Sequence, residues 1–306
     1  MNTTTRPAAS QAPGAAEDVI VPLRRPGRWI GVAVVTLIVA YLVIGAATNP
    51  NMRWDVVGEY LFSPLILEGL WMTIQLTVLA MVIGVALGVV LAIMRLSDNP
   101  VLRWVSVTYG LIFRGVPVIV QLLFWYFLSA LVPMLGIGIP FGPQFIEVET
   151  NAVISQLGAA LLAFGLHEAA YMSEIVRSGI VSVDQGQREA AAALGMSKGR
   201  IFRRIIFPQA MRVILPPTGN QVIILLKTTS LVLVIALPDL MTTVTHIYTR
   251  NFLQIPLLIV ASIWYLVMTG ALTVGQHYLE RHFGRGSERN ARPETRASRR
   301  AKERSR

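Results

Sequence analysis

Long runs of apolar residues, separated by short polar and charged segments, follow one another along most of the chain. A helix needs about 20 consecutive apolar residues to cross the hydrocarbon core of a bilayer, at about 1.5 Å per residue. Six runs come close to or exceed this length, so the pattern predicts an all-α, polytopic helical membrane protein. The six predicted transmembrane helices are Trp29–Ala47, Gly69–Met94, Val105–Leu135, Ala152–Val176, Val213–Leu237 and Pro256–Tyr278. The third run is overlong and contains Arg114, Gly115 and Pro117, so an interfacial turn is expected before its true crossing.

Composition supports this class. Only 14% of the residues are charged and 54% are hydrophobic, whereas soluble domains carry roughly 25% charged residues. The net charge of +10 does not indicate nucleic acid, because the basic residues lie in the tails and in alternate loops rather than on one folded basic surface. The chain has no cysteine, which excludes disulfides and cysteine-based metal or thiol sites.

The distribution of lysine and arginine predicts the orientation, because cytoplasmic loops retain positive charge. Every second polar segment is basic, and the segments between them hold mainly Asp and Glu. The basic residues are Arg24, Arg25 and Arg28 before the first run, Arg95 and Arg103 after the second, and Arg177, Arg188, Lys198, Arg200, Arg203, Arg204 and Arg212 after the fourth. Both termini are therefore predicted to be cytoplasmic.

The two ends of the chain differ from its centre. Residues 1–28 and 284–306 are predicted to be disordered cytoplasmic tails, the second of them basic, because neither can bury enough apolar surface to offset the entropy lost on ordering. Residues 29–47 form an extra N-terminal transmembrane helix in this interpretation. A cleaved signal peptide is the alternative, but the long polar lead and a run of about 19 residues favour a retained helix.

The long polar segment after the fourth run predicts a helical hairpin. Residues 187–194 are strong helix formers, Gly195 supplies a turn, and Ser197 can cap a second helix that Pro208 is expected to end or bend. The predicted apolar stripe of the second helix consists of Ile201, Phe202, Ile205 and Ile206, opposite Lys198, Arg200, Arg203 and Arg204. Two interpretations remain open from these residues: docking into a groove of a cytoplasmic partner, or lying on the lipid surface.

The spacing of this segment resembles a known signature. Glu189-Ala190-Ala191, three residues, Gly195, nine residues, and Ile205-Ile206-Phe207-Pro208 closely resemble EAA-x3-G-x9-I-x-L-P, the EAA signature of membrane subunits of bacterial ATP-binding-cassette (ABC) importers. Phe207 replaces the usual Leu. Further phrases are similar to the polar amino acid permease branch, namely Arg114-Gly115-Val116-Pro117 with Gln121, residues 170–177, Gly186-Gln187, Pro208-Gln209-Ala210 and residues 227–231. Thr228 departs from the Asp that relatives often carry.

This resemblance implies a function and a set of partners. It implies a five-helix permease domain over residues 65–280, placed in the bacterial cytoplasmic (inner) membrane and importing a polar amino acid. The implied partners are cytoplasmic ATP-binding subunits, an extracytoplasmic amino acid-binding protein, and a second permease copy or a sister permease. The residues implied in ATPase coupling are Gly186, Glu189, Ala190, Ala191, Gly195, Ile205 and Pro208. The resemblance leaves open which amino acid is carried.

The chain is not expected to be an enzyme by itself, and no cofactor is expected. It contains no G-x-x-x-x-G-K-[ST] phosphate-binding loop, so energy must come from a partner or a gradient. Two alternatives therefore stay open: a gradient-driven secondary transporter, although no convincing internal repeat is visible, and a non-transporting scaffold for a cytoplasmic partner.

Polar residues within apolar runs are the candidates for a substrate path. A charge at the centre of a membrane helix costs roughly 2.5 to 3.5 kcal/mol on insertion scales, so it needs a partner or water. The candidates are Arg114, Glu168, Glu174, Lys227, Thr229 and Ser230. The alternatives are an ion pair between Glu174 and Arg177, three residues apart, and hydrogen bonds between helices for the others.

Two shorter patterns have simple explanations. His167-Glu168 begins like the H-E-x-x-H of zinc proteases, but Tyr171 occupies the position of the second His, so no metal site is predicted. Gly84 and Gly88 form a G-x-x-x-G pattern that suits either a dimer contact or packing within one chain.

Overall fold

The computed structural model describes residues 26–138 and 144–284, and these residues divide into two compact units at the boundary between Met52 and Arg53. The predicted tails fall almost wholly outside the described residues. At their inner edges the prediction was too long, since residues 26–28 belong to the first helix and Gly284 to the last. The first unit contains helix α1, Pro26–Thr48, and a 3-10 turn at Pro50–Met52.

The second unit is helical apart from one β-hairpin. Its helices are α2 Trp54–Leu61, α3 Pro64–Arg95, α4 Pro100–Gly115, α5 Val118–Tyr126, α6 Leu128–Leu131, α7 Thr150–Val153, α8 Gln156–Val181, α9 Gln185–Ala193, α10 Lys198–Ile201, α11 Phe207–Thr228, α12 Leu240–Asn251 and α13 Gln254–Gly284. A π-helical turn, Phe202–Ile206, joins α10 to α11, and a 3-10 helix, Thr229–Ile235, follows α11.

Four helical segments in the described residues are long and apolar enough to cross a membrane: Ile30–Thr48, Pro64–Arg95, Lys198–Ile235 and Gln254–Arg281. The pair α4 and α5 would be a fifth if it forms one broken span. The predicted count of six is therefore not confirmed. Helix α8 contains the predicted fourth crossing except its first residues, which belong to α7 and the break after it. It has 26 residues but carries Glu168, Glu174 and Arg177, and it is not among the four.

The overlong third run is not one helix. α4 and α5 meet at an angle of 98°, with Pro117 immediately before α5. Proline disfavours the helical conformation of the residue before it, and Val116 accordingly has an extended backbone. The predicted end of this run at Leu135 was wrong, because Leu135 lies in a strand. Strand β1, Met134–Gly138, pairs antiparallel with β2, Gln144–Glu149, in the register Met134↔Glu149.

Helices α3 and α8 form the centre of the second unit. A Cβ on Gly84 would lie 2.6 Å from the Cβ of Glu168, and one on Gly88 would lie 2.5 Å from the Cβ of Met172. Both distances are too short for any side chain, so the two glycines let α8 approach α3. The G-x-x-x-G pattern therefore serves packing within the chain.

Two apolar clusters surround this contact. One includes Leu76, Phe164 and Met172, which are fully buried between α3, α8 and their neighbours. The other includes Ile66 and Leu257 and joins α2, the start of α3, α12 and α13. Many large apolar side chains of α3, α4 and α13 face outward instead, as expected for helices whose surroundings are lipid.

Candidate functional site

Helix α9 and its turn form a short hairpin with α10. Asp184 caps α9 by accepting a hydrogen bond from the backbone N–H of Gln187 at 3.2 Å. At the other end Gly195 has φ +75°, and two backbone bonds close the turn: Gly195 N to Ala192 O at 2.9 Å and Met196 N to Ala191 O at 3.2 Å. These are the paired bonds of a Schellman motif, which favours glycine at this position.

The exposed face of α9 is small and mixed. Glu189 and Ala190 are exposed, and one oxygen of Glu189 accepts a hydrogen bond from Gln185 Nε2 at 2.8 Å. Leu194 is 83% exposed at the tip of the hairpin, and sequence reasoning missed its exposure because it considered this leucine only as a helix former. Ala191, which the resemblance also implied in coupling, is buried within the chain, so a partner that contacts Ala190 does not reach it.

Polar side chains fasten the hairpin to the helices on either side. Arg188 donates from its guanidinium to the backbone oxygen of Ile180, in the last turn of α8. Gln209 in α11 donates from Nε2 to Gln187 Oε1 at 2.6 Å and to Ile205 O at 3.1 Å. The hairpin is thus held to α8 and to α11 at once.

The second half of the hairpin differs from the prediction. Ser197 occupies the N-cap position of α10, but its side chain makes no capping hydrogen bond. Pro208 does not end the helix, because the π-helical turn comes just before it and Pro208 falls in the first turn of α11, where the missing N–H is tolerated. Phe202 is exposed rather than part of the apolar stripe, whereas Ile201 is buried.

Of the other predicted coupling residues, Gly186 lies in the first turn of α9, where an added Cβ would come within 3.0 Å of Asp184 Oδ1. Ile205 is half-buried in the π-helical turn. Gly186 therefore leaves room for the Asp184 cap, and Ile205 packs partly against the rest of the chain.

The polar residues predicted to line a substrate path do not form one cluster. Glu168 is buried, and one carboxylate oxygen accepts a hydrogen bond from Gln221 Nε2 in α11 at 3.3 Å. Its neighbour His167 has Nδ1 2.9 Å from the backbone oxygen of Phe113, next to exposed Arg114 at the end of α4. Of these two neighbours in α8, Glu168 thus contacts α11, and His167 contacts α4 close to its junction with α5.

Glu174 forms two ion pairs. Its carboxylate lies 2.5 Å from Arg177, as the spacing of three residues suggested, and 3.0 Å from Arg95 at the end of α3. The second partner was missed, because sequence alone gives no distance between α3 and α8. Glu174 therefore links the two central helices.

The three remaining residues of the predicted path lie at the end of α11 and the start of the 3-10 helix. Lys227 is exposed in the last turn of α11. Thr229 is buried and donates from its hydroxyl to Leu226 O at 2.8 Å, and Ser230 donates to Lys227 O at 2.7 Å. Both hydroxyls bond to backbone oxygens in the last turn of α11. Across residues 26–138 and 144–284, no group of three or more His, Asp or Glu side chains is arranged to hold a metal ion.

The sequence of this chain is similar to those of known transport proteins. The sequence profile of the family described as binding-protein-dependent transport system inner membrane component matches residues 84–285. The arginine transport system permease protein ArgU of Corynebacterium glutamicum is 46% identical over 276 residues, covering 88% of this chain and 84% of that protein. The glutamate/aspartate import permease protein GltK of Escherichia coli is 37% identical over 71% of this chain and 93% of its own length.

Two solved transporter structures have a fold similar to that of this chain. A crystal structure described as an amino acid ABC transporter with histidines superposes with a TM-score of 0.61 at 35% identity, over 72% of this chain and 95% of that one. The MetNI methionine ABC transporter in an inward-facing conformation superposes with a TM-score of 0.57 at 16% identity, over 77% and 99% of the two chains. The second likeness concerns the fold alone.

Proposed function

Because the chain belongs to the family of binding-protein-dependent transport system inner membrane components, we propose that it carries a polar amino acid across the bacterial inner membrane. It is a multi-pass membrane subunit of an ABC importer, and ATP is hydrolysed in a separate subunit. Its partners are cytoplasmic ATP-binding subunits, an extracytoplasmic amino acid-binding protein, and a second permease copy or a sister permease.

Relatives of known name support the substrate class. Permeases named for arginine and for glutamate/aspartate are 46% and 37% identical to this chain, and a cystine permease, TcyB of Bacillus subtilis, is 35% identical over 80% of it. These substrates share an α-amino acid head and differ in their side chains. The common class is therefore a polar amino acid, and the binding protein selects among its members.

One observation carries the coupling role: the hairpin presents Glu189, Ala190 and Leu194 outward while side-chain bonds hold it to two long helices. An exposed leucine at the tip of the hairpin and an exposed carboxylate on α9 suit insertion into a partner's groove, as an apolar anchor and a polar contact. Arg188 and Gln209 then pass any displacement of the hairpin to α8 and α11.

Transport follows by alternating access. ATP binding draws the two ATPase subunits together, the docked hairpins move with them, and the packed helices change from inward-facing to outward-facing. Both termini of this chain lie in the cytoplasm in this arrangement, on the side where the basic segments are retained.

Along the path we assign the substrate ammonium to Glu168 and the substrate carboxylate to Arg114. The bond between His167 and Phe113 brings the two segments together. Glu168 is buried and bonded to Gln221 of α11, so the substrate reaches it only when α8 and α11 separate during the transport cycle. Lys227 and Ser230, at the end of α11 and the start of the 3-10 helix, form a second polar part of the path, with buried Thr229 next to Ser230 in the chain. Both oxygens of Glu174 form ion pairs. We therefore assign Glu174 mainly to the contact between α3 and α8 and not to the substrate path.

The test uses the full chain reconstituted with its ATPase and binding protein in proteoliposomes. Glu189→Lys reverses the charge of the docking face, and Gly195→Pro forces φ to about −65° where the turn has +75°. Both changes are expected to abolish amino acid uptake and binding-protein-stimulated ATP hydrolysis while the protein stays inserted.

The control is Glu59→Lys, which reverses an equally exposed carboxylate of α2 and should leave uptake intact. Normal uptake by both hairpin variants would contradict the docking role. Uptake driven by an ion gradient without the ATPase would indicate a secondary transporter, and an ATPase that is bound without any uptake would indicate a scaffold.

A further inference from the structure

A polar cavity of about 570 Å³ lies where α3 ends and α4 begins. It is lined by Arg95, Ser97, Asp98, Pro100, Arg103 and Arg177. None of these residues belongs to the hairpin surface. The cavity lies at the end of α3 that the charge pattern assigns to the cytoplasm, so it faces the leaflet surface rather than the centre of the bilayer.

The arginines of this cavity have more hydrogen-bond donors than the protein uses. Arg95 and Arg177 share a single carboxylate, that of Glu174, although each guanidinium carries five N–H groups. Arg95 pairs with this carboxylate through Nη1 and Arg177 through Nη2, so one terminal nitrogen of each guanidinium makes the ion pair. Arg103 is exposed and forms no ion pair with any residue in the described ranges.

This donor set suits a phosphate. Planar guanidinium groups bind phosphate oxygens through two parallel N–H bonds, and such charge-assisted bonds are roughly twice as strong as neutral ones. A phosphodiester has two ester oxygens besides its two charged oxygens, so it offers these donors more acceptor atoms than a carboxylate, which has two oxygens. Asp98 is the acidic residue of the lining, and it disfavours a ligand with many charges.

The walls of the cavity are fixed before any ligand arrives. Ser106 Oγ donates to Leu91 O at 2.8 Å and ties α4 to α3, and Tyr109 Oη donates to Leu166 O at 2.9 Å and ties α4 to α8. Asn99 caps α4 by accepting from Val101 N at 2.9 Å. The three arginines are therefore carried by helices that are held together, which reduces the entropy lost on binding.

The surface beside the cavity is apolar. Val101 is 64% exposed and Trp104 is 68% exposed on the same first turns of α4. Tryptophan is enriched at the level of lipid headgroups. A ligand whose phosphate enters the cavity while its hydrocarbon runs along Val101 and Trp104 would use both surfaces.

We propose that this cavity binds the phosphodiester headgroup of an anionic phospholipid. Arg103 and Arg177 bind the phosphate oxygens, Arg95 supplies further positive charge, and the outer face of α4 contacts the acyl chains. The lipid would thereby bridge α3, α4 and α8 at one end of the bundle.

The experiment titrates the purified full-length protein in detergent with phosphatidylglycerol, phosphatidylcholine or inorganic phosphate. Lipid retention is measured by native mass spectrometry, and the melting temperature is recorded in parallel. Phosphatidylglycerol should be retained and should raise the melting temperature more than phosphatidylcholine. Arg103→Gln should weaken retention about fivefold, as expected for one basic residue at an anionic surface.

Two further variants separate the sources of the anion. Arg212→Gln removes an exposed arginine of α11 and should retain the lipid like the wild type. Trp104→Ala should weaken retention of the lipid without changing the response to phosphate. Equal loss in Arg103→Gln and Arg212→Gln would overturn the site. Stabilisation by inorganic phosphate alone, with no added effect of phosphatidylglycerol, would overturn the lipid assignment in favour of a soluble anion.

Discussion

Glycine has opposite uses in the central helix pair and in the hairpin. At Gly84 and Gly88 the backbone is ordinary helix, and the missing side chain provides space, because a Cβ there would meet α8 at 2.6 and 2.5 Å. At Gly195 nothing lies within 4 Å of an added Cβ, and glycine is required by φ +75° instead. The central pair is thus specified by packing, whereas the hairpin is specified by backbone conformation and a few hydrogen bonds.

The largest expected effect concerns the central pair. Gly88→Ala places a methyl group against the Cβ of Met172, and overpacking of this kind typically costs about 1–3 kcal/mol of folding free energy. We expect a lower melting temperature in detergent and less monodisperse protein. The matched control is Gly270→Ala in α13, where an added Cβ meets nothing within 4 Å. A stable Gly88→Ala variant would mean that α3 and α8 are not packed this closely.

A smaller effect is expected at the edge of the same contact. Glu174→Gln removes the carboxylate that pairs Arg95 with Arg177, whose side chains are only 26% and 30% exposed. We expect a loss of about 1 kcal/mol, since the pairs are partly screened by solvent, seen as a modest fall in melting temperature. Asp55→Asn is the control, because it breaks the exposed Arg53–Asp55 pair and should change nothing measurable. Equal behaviour of the two variants would show that Glu174 does not join α3 to α8.

The smallest effect on stability is expected in the hairpin. Gln209→Met removes the bonds to Gln187 and Ile205 but fills a similar volume, so the melting temperature should fall less than in Glu174→Gln. Amide hydrogen exchange over residues 185–196 should nevertheless become faster, because the tie of the hairpin to α11 is lost. Gln254→Met, at an exposed position that starts α13, serves as the control. Unchanged exchange in Gln209→Met would mean that Arg188 alone holds the hairpin.

Sequence predicted the local features of the fold better than its contacts. Glycine at 195 and the alanines before it predict a helix and a turn from local conformational preference, and the structure has both. The break between α4 and α5 was expected from Gly115 and Pro117, for the same local reason. This agreement concerns the conformation of the hairpin only, and its role in coupling stays a prediction.

Features that depend on distant neighbours were not predictable. Apolar residues around Leu135 suit a membrane helix or a strand equally well, and only pairing with β2 decides between them. The partnership of Arg95 with Glu174 and the burial of Ala191 likewise depend on how helices pack. Pro208 was misread because the rule that proline ends a helix takes no account of the wider π-helical turn that precedes it.

Two consecutive prolines inside α11 have a mechanical consequence. Pro216 and Pro217 have no N–H, so the backbone oxygens four residues earlier lose their usual partners, and Gln276 of α13 donates to Pro216 O at 3.2 Å. The helical segment Lys198–Ile235 is nevertheless continuous. At about 1.5 Å per residue, Lys198 lies about 27 Å from this softened point, so a bend of about 10° would swing it by about 5 Å. A bend at the two prolines therefore moves the hairpin end of this segment relative to α13, and the π-helical turn Phe202–Ile206 is a second place where the segment can bend.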